Sequence, residues 1–140
     1  MALRRSALKV GETHSQVVVT DLSRTQLVQY AGASGDYNPL HTDERFAREV
    51  AGYPGVFAHG MLTMGLTGRM LTDWVGDGRL ATFGIRFTAQ VNPGDTLTST
   101  ATVRDLLEQD GKPLVALDVV TVNQNDVVVV SGTATAWLDD

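Results

Sequence analysis

The stretch His59-Gly-Met-Leu-Thr-Met-Gly-Leu-Thr-Gly-Arg-Met-Leu-Thr-Asp-Trp74 decides the fold class of this chain. Large apolar residues are spread around most of its helical circumference: Met61, Leu62, Met64, Leu66, Met70, Leu71 and Trp74. A helix that is apolar on nearly every side is typical of the centre of a domain. Gly60, Gly65 and Gly68 would weaken an isolated helix, so we expect them where neighbouring elements approach closely. The stretch therefore predicts one long helix buried inside the domain.

The chain after this helix is patterned as strands separated by turns. Apolar and polar residues alternate from Phe83 to Val91, as in an antiparallel strand with one buried face. Three more strands are predicted over residues 96–107, 114–122 and 127–138. The turn sequences are Asn92-Pro-Gly-Asp95, Gln109-Asp-Gly-Lys112 and Asn123-Gln-Asn-Asp126. A meander of strands after a buried helix predicts an α+β fold, with the helix held against a curved antiparallel sheet.

Two elements are predicted near the start of the chain. The valine run at 17–19 indicates a short strand, which can begin as early as His14. Ser23 and Gln26 have the spacing of a capping box, which predicts a short amphipathic helix from Ser23 to about Gly32.

A second short helix is predicted closer to the long one. Thr42 is the expected N-cap, and the helix runs from Asp43 to Arg48 with two acids in its first turn, as the helix dipole favours. The sequence Gly52-Tyr-Pro-Gly55 is expected to end it.

The segment between the two predicted short helices contains the candidate catalytic residues. Asp36 and His41 lie close together in the sequence, and Gly35 permits a turn directly before the carboxylate. Pro39 fixes its own φ and keeps Asn38 out of the helical region. An acid and an imidazole are thus held on a stiff, non-helical loop, where catalytic groups are often found. Together with the N-terminus of the long helix, they are the parts of a proton-transfer site with an oxyanion donor.

The composition narrows the functional class. The 140 residues are expected to form a single domain, residues 1–140, and the net charge of −5 argues against a nucleic-acid partner. The lack of cysteine excludes a disulfide framework, a thiolate metal site and a cysteine nucleophile, and it fits a cytoplasmic location. No apolar segment follows the basic residues at the start, so a secretory signal is not expected. The apolar stretch around the long helix is too polar to span a membrane.

The run Tyr30-Ala-Gly-Ala-Ser-Gly-Asp-Tyr-Asn-Pro-Leu-His-Thr-Asp-Glu-Arg-Phe-Ala47 resembles the signature of the MaoC-like, or hydratase-2, family. The matching positions are Tyr30, Ser34, Gly35, Asp36, Asn38, Pro39, Leu40, His41 and Ala47. Residues 58–62 resemble the second block of the family, and 87–95 resemble its following strand and turn. Within the family, residues 58–65 and 74–77 are most similar to the catalytic β-subunit of the actinobacterial (3R)-hydroxyacyl-ACP dehydratases.

The resemblance implies a hot-dog fold, in which an antiparallel sheet wraps a long central helix and two sheets join edge to edge in a dimer. It implies an (R)-specific enoyl-thioester hydratase or (3R)-hydroxyacyl-thioester dehydratase. The implied substrate is an acyl-CoA or acyl-ACP thioester, and no metal or organic cofactor is needed. The implied assembly is a homodimer, with the catalytic half of a heterodimer as an alternative.

The resemblance also implies the catalytic roles. Asp36 and His41 would hold one water between them and share the proton transfers, without the sequence deciding which is the formal base. The backbone N–H of Gly60 would be the oxyanion donor, because a glycine lets the thioester oxygen approach the backbone closely.

Three further residues are expected on the substrate side. Asn38 would order the loop or orient a catalytic side chain. His59 is grouped with the binding residues, although capping or positioning of the long helix is favoured over proton transfer. Arg86 lies on the strand face opposite Phe87 and could contact a phosphate of CoA or phosphopantetheine, or be an ordinary solvated arginine.

Other functions remain open but are disfavoured. A hot-dog thioesterase would need a water aimed at the carbonyl carbon, and the Asp36–His41 pair argues against it. A non-catalytic subunit that only shapes an acyl pocket should lack this pair. A metal site built from Asp36, His41 and His59 is disfavoured because the spacing of the histidines matches no common ligand pattern.

Overall fold

The computed structural model describes residues 3–140. Its elements in chain order are a 3₁₀ turn Arg5–Ala7, β1 Thr13–Val19, α1 Arg24–Ser34, a 3₁₀ turn Pro39–His41, a π-helical segment Phe46–Val50, α2 Gly60–Val75, β2 Leu80–Phe87, β3 Leu97–Gln109, β4 Lys112–Val122 and β5 Val128–Trp137. Within residues 3–140, no helix combines the length and the hydropathy that crossing a bilayer requires.

The strands form one five-stranded sheet in the order β1-β3-β4-β5-β2, and every neighbouring pair is antiparallel. The hairpins β3–β4 and β4–β5 confirm the predicted meander for the last three strands. The β3–β4 turn has positive φ at both Asp110 (52°) and Gly111 (76°), as a tight two-residue hairpin turn requires. The α+β prediction, a long helix against an antiparallel sheet, is also confirmed.

The prediction for the first strand after the helix was wrong in two respects. β2 pairs with β5, with Phe87 opposite Val130, so the chain crosses the sheet between β2 and β3 instead of continuing the meander. The strand also ends at Phe87 and not at Val91. The reason is that the Val91 carbonyl accepts a hydrogen bond (2.7 Å) from the N–H of Ala58, directly before α2. Thr88 and Ala89 still donate to the Val129 carbonyl, and the chain then turns toward the start of the helix.

α2 packs one side against the sheet. Its buried residues are Leu62, Thr63, Leu66, Thr67, Met70, Leu71 and Val75. The predicted burial on nearly every side does not occur within this chain, since Met61 is 57% exposed. A Cβ at Gly60 would lie 3.0 Å from the Phe87 ring, and one at Gly68 would lie 3.3 Å from Phe83. The prediction of close approach is therefore confirmed at these two glycines. It was wrong at Gly65, where residues 3–140 place no atom of another element within 4 Å of such a Cβ.

Three buried hydroxyl groups join α2 to the sheet. Thr67 of α2, Ser99 of β3 and Thr121 of β4 are each 0% exposed. The Thr121 hydroxyl lies 2.7 Å from that of Thr67 and 2.6 Å from that of Ser99, and Thr67 donates to the Thr63 carbonyl (2.9 Å). These directional bonds fix the position of α2 along the sheet more narrowly than apolar contacts alone.

The elements near the N-terminus follow their sequence signals. β1 begins at Thr13, just before His14, and α1 begins after Ser23, whose hydroxyl accepts from the N–H of Gln26 (3.0 Å). α1 continues past Gly32 to Ser34 and ends where Gly35 adopts φ of 76°. The predicted capping at Ser23 is thus confirmed, and the helix is slightly longer than expected.

The cap of the second short helix was predicted at the wrong residue. The Asp43 carboxylate accepts from the N–H of Phe46 (3.0 Å), whereas Thr42 closes the preceding 3₁₀ turn through its N–H to the Pro39 carbonyl (3.2 Å). The five residues Phe46–Val50 form a π-helical turn, and Gly52 with φ of 78° follows it. Thr42 thus ends the 3₁₀ turn at 39–41, and the adjacent Asp43 caps the helical segment that follows.

Candidate active site

The loop that carries the acid is built from side-chain to backbone hydrogen bonds. The Ser34 hydroxyl accepts from the N–H of Asp36 (3.1 Å), and the Asp36 carboxylate accepts from the N–H of Asn38 (3.2 Å). The Asn38 side chain in turn accepts from the N–H of Leu40 (3.0 Å). These short-range bonds fix the backbone without helix or sheet. Asn38 has φ of −57° and ψ of 123°, outside the helical region as predicted.

The imidazole ring of His41 is held in place by a hydrogen bond to a backbone carbonyl group. The residue lies at the end of the 3₁₀ turn Pro39–His41, so the expectation of a wholly non-helical loop was wrong here. Its Nδ1 is 2.6 Å from the carbonyl oxygen of Phe57, and the N–H of Phe57 donates to the Leu40 carbonyl (3.3 Å). Because a carbonyl can only accept, Nδ1 carries the proton, and Nε2 of the neutral ring has a free lone pair.

Asp36 and His41 face each other across a gap. Oδ2 of Asp36 is 4.0 Å from Nε2 of His41, which is too long for a direct hydrogen bond and suits a single bridging water. The Asp36 side chain is 53% exposed and that of His41 is 10% exposed. The structure thus brings the two predicted acid–base residues together, one facing solvent and the other nearly buried.

His59 lies beneath this pair and is 1% exposed. Its Nε2 is 3.0 Å from the Asp36 carbonyl oxygen, and its ring stacks on that of His41 with centroids 3.8 Å apart. Tyr30 of α1 contacts the ring edge-on at 4.8 Å. Although His59 occupies the N-cap position of α2, its side chain makes no capping bond. These contacts hold the loop and the His41 ring in place. The expected contact between His59 and the substrate stays a prediction.

Asp36, His41 and His59 form a cluster of potential metal ligands. One potential ligand atom from each residue lies within 4.8 Å of the others, a proximity that the spacing in sequence does not reveal. His59, however, has its Nε2 on the Asp36 carbonyl, and its Nδ1 is buried without a partner among residues 3–140. Since Nε2 of His59 faces a carbonyl oxygen, the lone pair of this ring lies on Nδ1. Each of the three residues therefore keeps a potential ligand atom, and the exclusion of a metal site stays a prediction.

A pocket of about 330 Å³ adjoins Gly60 at the start of α2. Its lining residues are Phe57, Ala58, Gly60, Thr63, Phe87, Ala89, Gln90, Val91, Val129 and Val130. Gly60 is the first residue of α2, so its N–H has no acceptor within the helix and lies at the positive end of the dipole. A mostly apolar pocket with a free N–H at its wall suits a lipophilic chain that ends in a carbonyl group.

Arg86 does not line this pocket. Phe87 does, and Arg86 instead borders a separate shallow depression on β2 and β5, together with Gly84, Ser131 and Thr133. Arg86 is exposed, so contact with a phosphate stays a prediction for the outer face of β2.

Two contributors to the site were not predicted. Phe57 supplies both the carbonyl for His41 and part of the pocket wall, and Tyr30 packs on His59. Tyr30 is part of the signature run, so its position was available from the sequence. Phe57 acts through its backbone, and no side-chain pattern reports the use of a carbonyl group.

Comparison with protein families identifies the chain. A model described as the MaoC like domain matches residues 6–126. The chain belongs to the MaoC-like domain family.

Relatives of this MaoC-like chain carry consistent names. The 3-hydroxyacyl-thioester dehydratase Y of Mycobacterium tuberculosis is 44% identical over 69 residues, which are 47% of this chain and 24% of that protein. The (R)-specific enoyl-CoA hydratase of Rhodospirillum rubrum is 32% identical over 102 residues, 71% of this chain and 70% of the relative. The MaoC-like chain thus matches about a quarter of the length of the mycobacterial protein and most of the length of the Rhodospirillum rubrum hydratase.

A solved structure shares the fold of the MaoC-like chain. The R-hydratase PhaJ1 of Pseudomonas aeruginosa superimposes with a TM-score of 0.85 at 26% identity, covering 99% of this chain and 87% of the other. The predicted hot-dog architecture is therefore confirmed.

Proposed function

We propose that this chain is an (R)-specific enoyl-thioester hydratase, which in the reverse direction is a (3R)-hydroxyacyl-thioester dehydratase. The observation that carries the proposal is the gap of 4.0 Å between the Asp36 carboxylate and Nε2 of His41, beside the pocket at Gly60. The names of the relatives, an (R)-specific enoyl-CoA hydratase and a 3-hydroxyacyl-thioester dehydratase, support the same reaction class.

Hydration needs a proton taken from water and a proton given to C2. A water held between Asp36 and His41 would attack C3 of the enoyl-thioester while the pair takes one of its protons. The pair then delivers a proton to C2, so the water adds across the double bond with no change in the charge of the site. The lone pair on Nε2 of His41, fixed by the Phe57 carbonyl behind it, suits His41 to accept that proton.

Negative charge develops on the thioester oxygen during this addition. The N–H of Gly60 would donate to that oxygen, and the dipole of α2 adds to the stabilisation. The acyl chain would occupy the pocket lined by Phe57, Thr63 and Val130. The two ends of the reacting group, C3 and the carbonyl oxygen, would thus be held by different segments of the chain.

The remaining predicted residues have supporting roles in this proposal. Asn38 orders the loop through its bond to Leu40, and His59 braces His41 from below. Arg86 would contact a phosphate of the CoA or phosphopantetheine arm where it runs over the outer face of β2.

We further propose that the enzyme is a homodimer of chains in which residues 1–140 form one domain. β2 is the last strand of the sheet and offers an unpaired edge. Phe87 on this strand and Met61 on α2 are 53% and 57% exposed, which supplies apolar surface beside that edge. The alternative, the catalytic half of a heterodimer, uses the same edge with a different partner.

The test is an assay with crotonyl-CoA and a long-chain enoyl-CoA, following loss of the enoyl absorbance and the configuration of the product. We expect formation of the (R)-3-hydroxyacyl thioester. Release of free thiol without formation of a 3-hydroxyacyl thioester would instead identify a thioesterase. Formation of the (S) product would contradict the stereochemical part of the proposal.

A further inference from the structure

The carboxylate of Glu44 joins three segments of the chain close to the candidate site. Oε1 accepts from Nε of Arg24 at the start of α1 (2.6 Å). Oε2 accepts from the N–H of Val56 (3.1 Å), and Nη2 of Arg48 lies 3.7 Å from it. The two guanidinium groups and the Val56 N–H stabilise the charged form, and the hydrogen bond from Arg24 contributes most to lowering the pKa of Glu44. The carboxylate thus links three segments of the chain, although its side chain is 33% exposed.

This link lies next to the bond that orients His41. Val56 directly precedes Phe57, whose carbonyl oxygen accepts the Nδ1 proton of His41 at 2.6 Å. Glu44 follows His41 by less than one helical turn, so the two residues anchor the same pair of segments at neighbouring points. The Val56 N–H and the Phe57 carbonyl lie two peptide groups apart, so the bond to Glu44 fixes where this segment runs beside the turn that follows His41. The peptide group of the Phe57 carbonyl is held at its other end, where the N–H of Ala58 donates to the Val91 carbonyl (2.7 Å).

The segment before Val56 is adapted to this contact. Nε of Arg48 donates to the Pro54 carbonyl (2.9 Å), which ties the segment to the same short helix. A Cβ at Gly55 would lie 2.9 Å from Oε2 of Glu44, too close for a carboxylate that is held in place. Gly55 therefore leaves room for Glu44 to reach the backbone.

We propose that Glu44 is a positioning residue for the hydration reaction: by holding Val56 beside the turn that follows His41, it keeps the Phe57 carbonyl within hydrogen-bond reach of Nδ1 of His41 and so keeps Nε2 unprotonated toward Asp36. This inference rests on the proposed function for its effect on turnover. Its structural part, the choice of the His41 tautomer, is independent of any substrate.

The chemistry of Glu44 predicts a graded series of variants. Glu44→Gln retains one carbonyl oxygen, so it can accept from Val56 or from Arg24 but not from both. Glu44→Ala removes both acceptors, and Gly55→Ala displaces the carboxylate without removing it. Glu49→Ala is the matched control, because Glu49 lies on the same turn and pairs with Arg45 (3.0 Å) in an exposed ion pair.

The experiment measures the histidine tautomer by long-range ¹H–¹⁵N NMR at alkaline pH, together with kcat, KM and the pH profile of kcat. We expect the wild type and Glu49→Ala to show the Nδ1–H tautomer. Glu44→Ala and Gly55→Ala should show a mixture of tautomers and a kcat lower by roughly 10- to 100-fold at little change in KM, with Glu44→Gln intermediate.

The outcomes separate the two proposals. An unchanged tautomer and kcat in folded Glu44→Ala would overturn the role of Glu44 while leaving the hydratase assignment intact. A wild-type homodimer that is inactive toward enoyl-thioesters would overturn the hydratase assignment, and the tautomer measurement would still decide the role of Glu44. If Glu44→Ala fails to fold, Glu44→Gln and Gly55→Ala decide the question in the same way.

Discussion

The Nδ1 atom of His41 and the carbonyl oxygen of Phe57 are 2.6 Å apart, although the residues are well separated in the sequence. This bond sets which nitrogen of the imidazole faces Asp36, and it connects the signature loop to the segment that leads into α2. The proposed acid–base pair and the proposed oxyanion donor at Gly60 are therefore positioned relative to each other by hydrogen bonds between these two segments.

A side chain at Gly60 should impair turnover more than stability. A Cβ there would lie 3.0 Å from the Phe87 ring in the pocket wall, so Gly60→Ala narrows the approach to the N–H of this residue. We expect kcat to fall by roughly 10²–10³-fold, the range for loss of one oxyanion donor.

Phe87→Leu provides the control for simple crowding at Gly60. The double variant Gly60→Ala, Phe87→Leu relieves contact with the ring but leaves the methyl group beside the N–H. Recovery of wild-type kcat in this double variant would show that crowding of Phe87, and not a blocked donor, causes the loss.

The buried hydroxyl cluster should contribute to stability without affecting catalysis. Thr121→Val leaves the hydroxyl groups of Thr67 and Ser99 with a lost partner inside the core, at a cost of about 1–3 kcal/mol. Urea unfolding measures this cost. The control is Thr82→Val, which breaks an exposed hydroxyl pair with Thr135 and should change stability by less than about 0.5 kcal/mol. Equal effects of the two substitutions would contradict a special role for the buried cluster.

The ion pairs of Glu44 predict a pH dependence of stability. Hydrogen bonding and charge from Arg24, with contributions from Val56 and Arg48, hold the pKa of Glu44 below its ordinary value of about 4.5. A group whose pKa is lowered by folding stabilises the folded state above its ordinary pKa, and this contribution is lost as the pH falls through the lowered value. The difference in Tm between wild type and Glu44→Gln should thus be largest near neutral pH and shrink as the pH falls below the ordinary pKa of about 4.5.

Glu49→Gln is the comparison for this measurement, because its partner Arg45 is exposed and the pair is expected to contribute little at any pH. A Tm difference for Glu44→Gln that grows as the pH falls would contradict the direction of the shift.

Assembly can be tested by light scattering. We expect a mass of about 30 kDa, twice the 15.0 kDa of the chain, because β2 leaves an open edge on the sheet. A mass of one chain at every concentration would argue against the homodimer. A species that is inactive until a second kind of subunit is added would instead favour the heterodimer.

Local signals in the sequence predicted local structure well. Ser23 caps α1, Gly35 adopts positive φ, and Asp36 and His41 meet because the turn between them is short and fixed by Pro39. The error at Thr42 arose from two adjacent residues that can both cap, and the preceding turn decided between them.

Long-range features were harder to predict for a physical reason. The pairing of β2 with β5 depends on how the sheet curves around α2. The alternation of apolar and polar residues within β2 is compatible with pairing to β3 or to β5. Phe57 acts through its carbonyl, and Glu44 had been explained by the helix dipole alone. Such contacts depend on three-dimensional packing between segments, so no spacing of residue types reveals them.

The proposed catalytic pair is tested most directly by crotonyl-CoA hydration with Asp36→Ala, His41→Ala and the double variant, each shown to be folded. His14→Ala serves as the control histidine, since His14 stacks on Trp74, outside the pocket and the acid–base pair. We predict that each single variant lowers kcat by at least ~10²-fold and that the double variant is little worse, because the two groups act as a unit. Turnover close to that of the wild type in either folded single variant would contradict acid–base catalysis by Asp36 and His41.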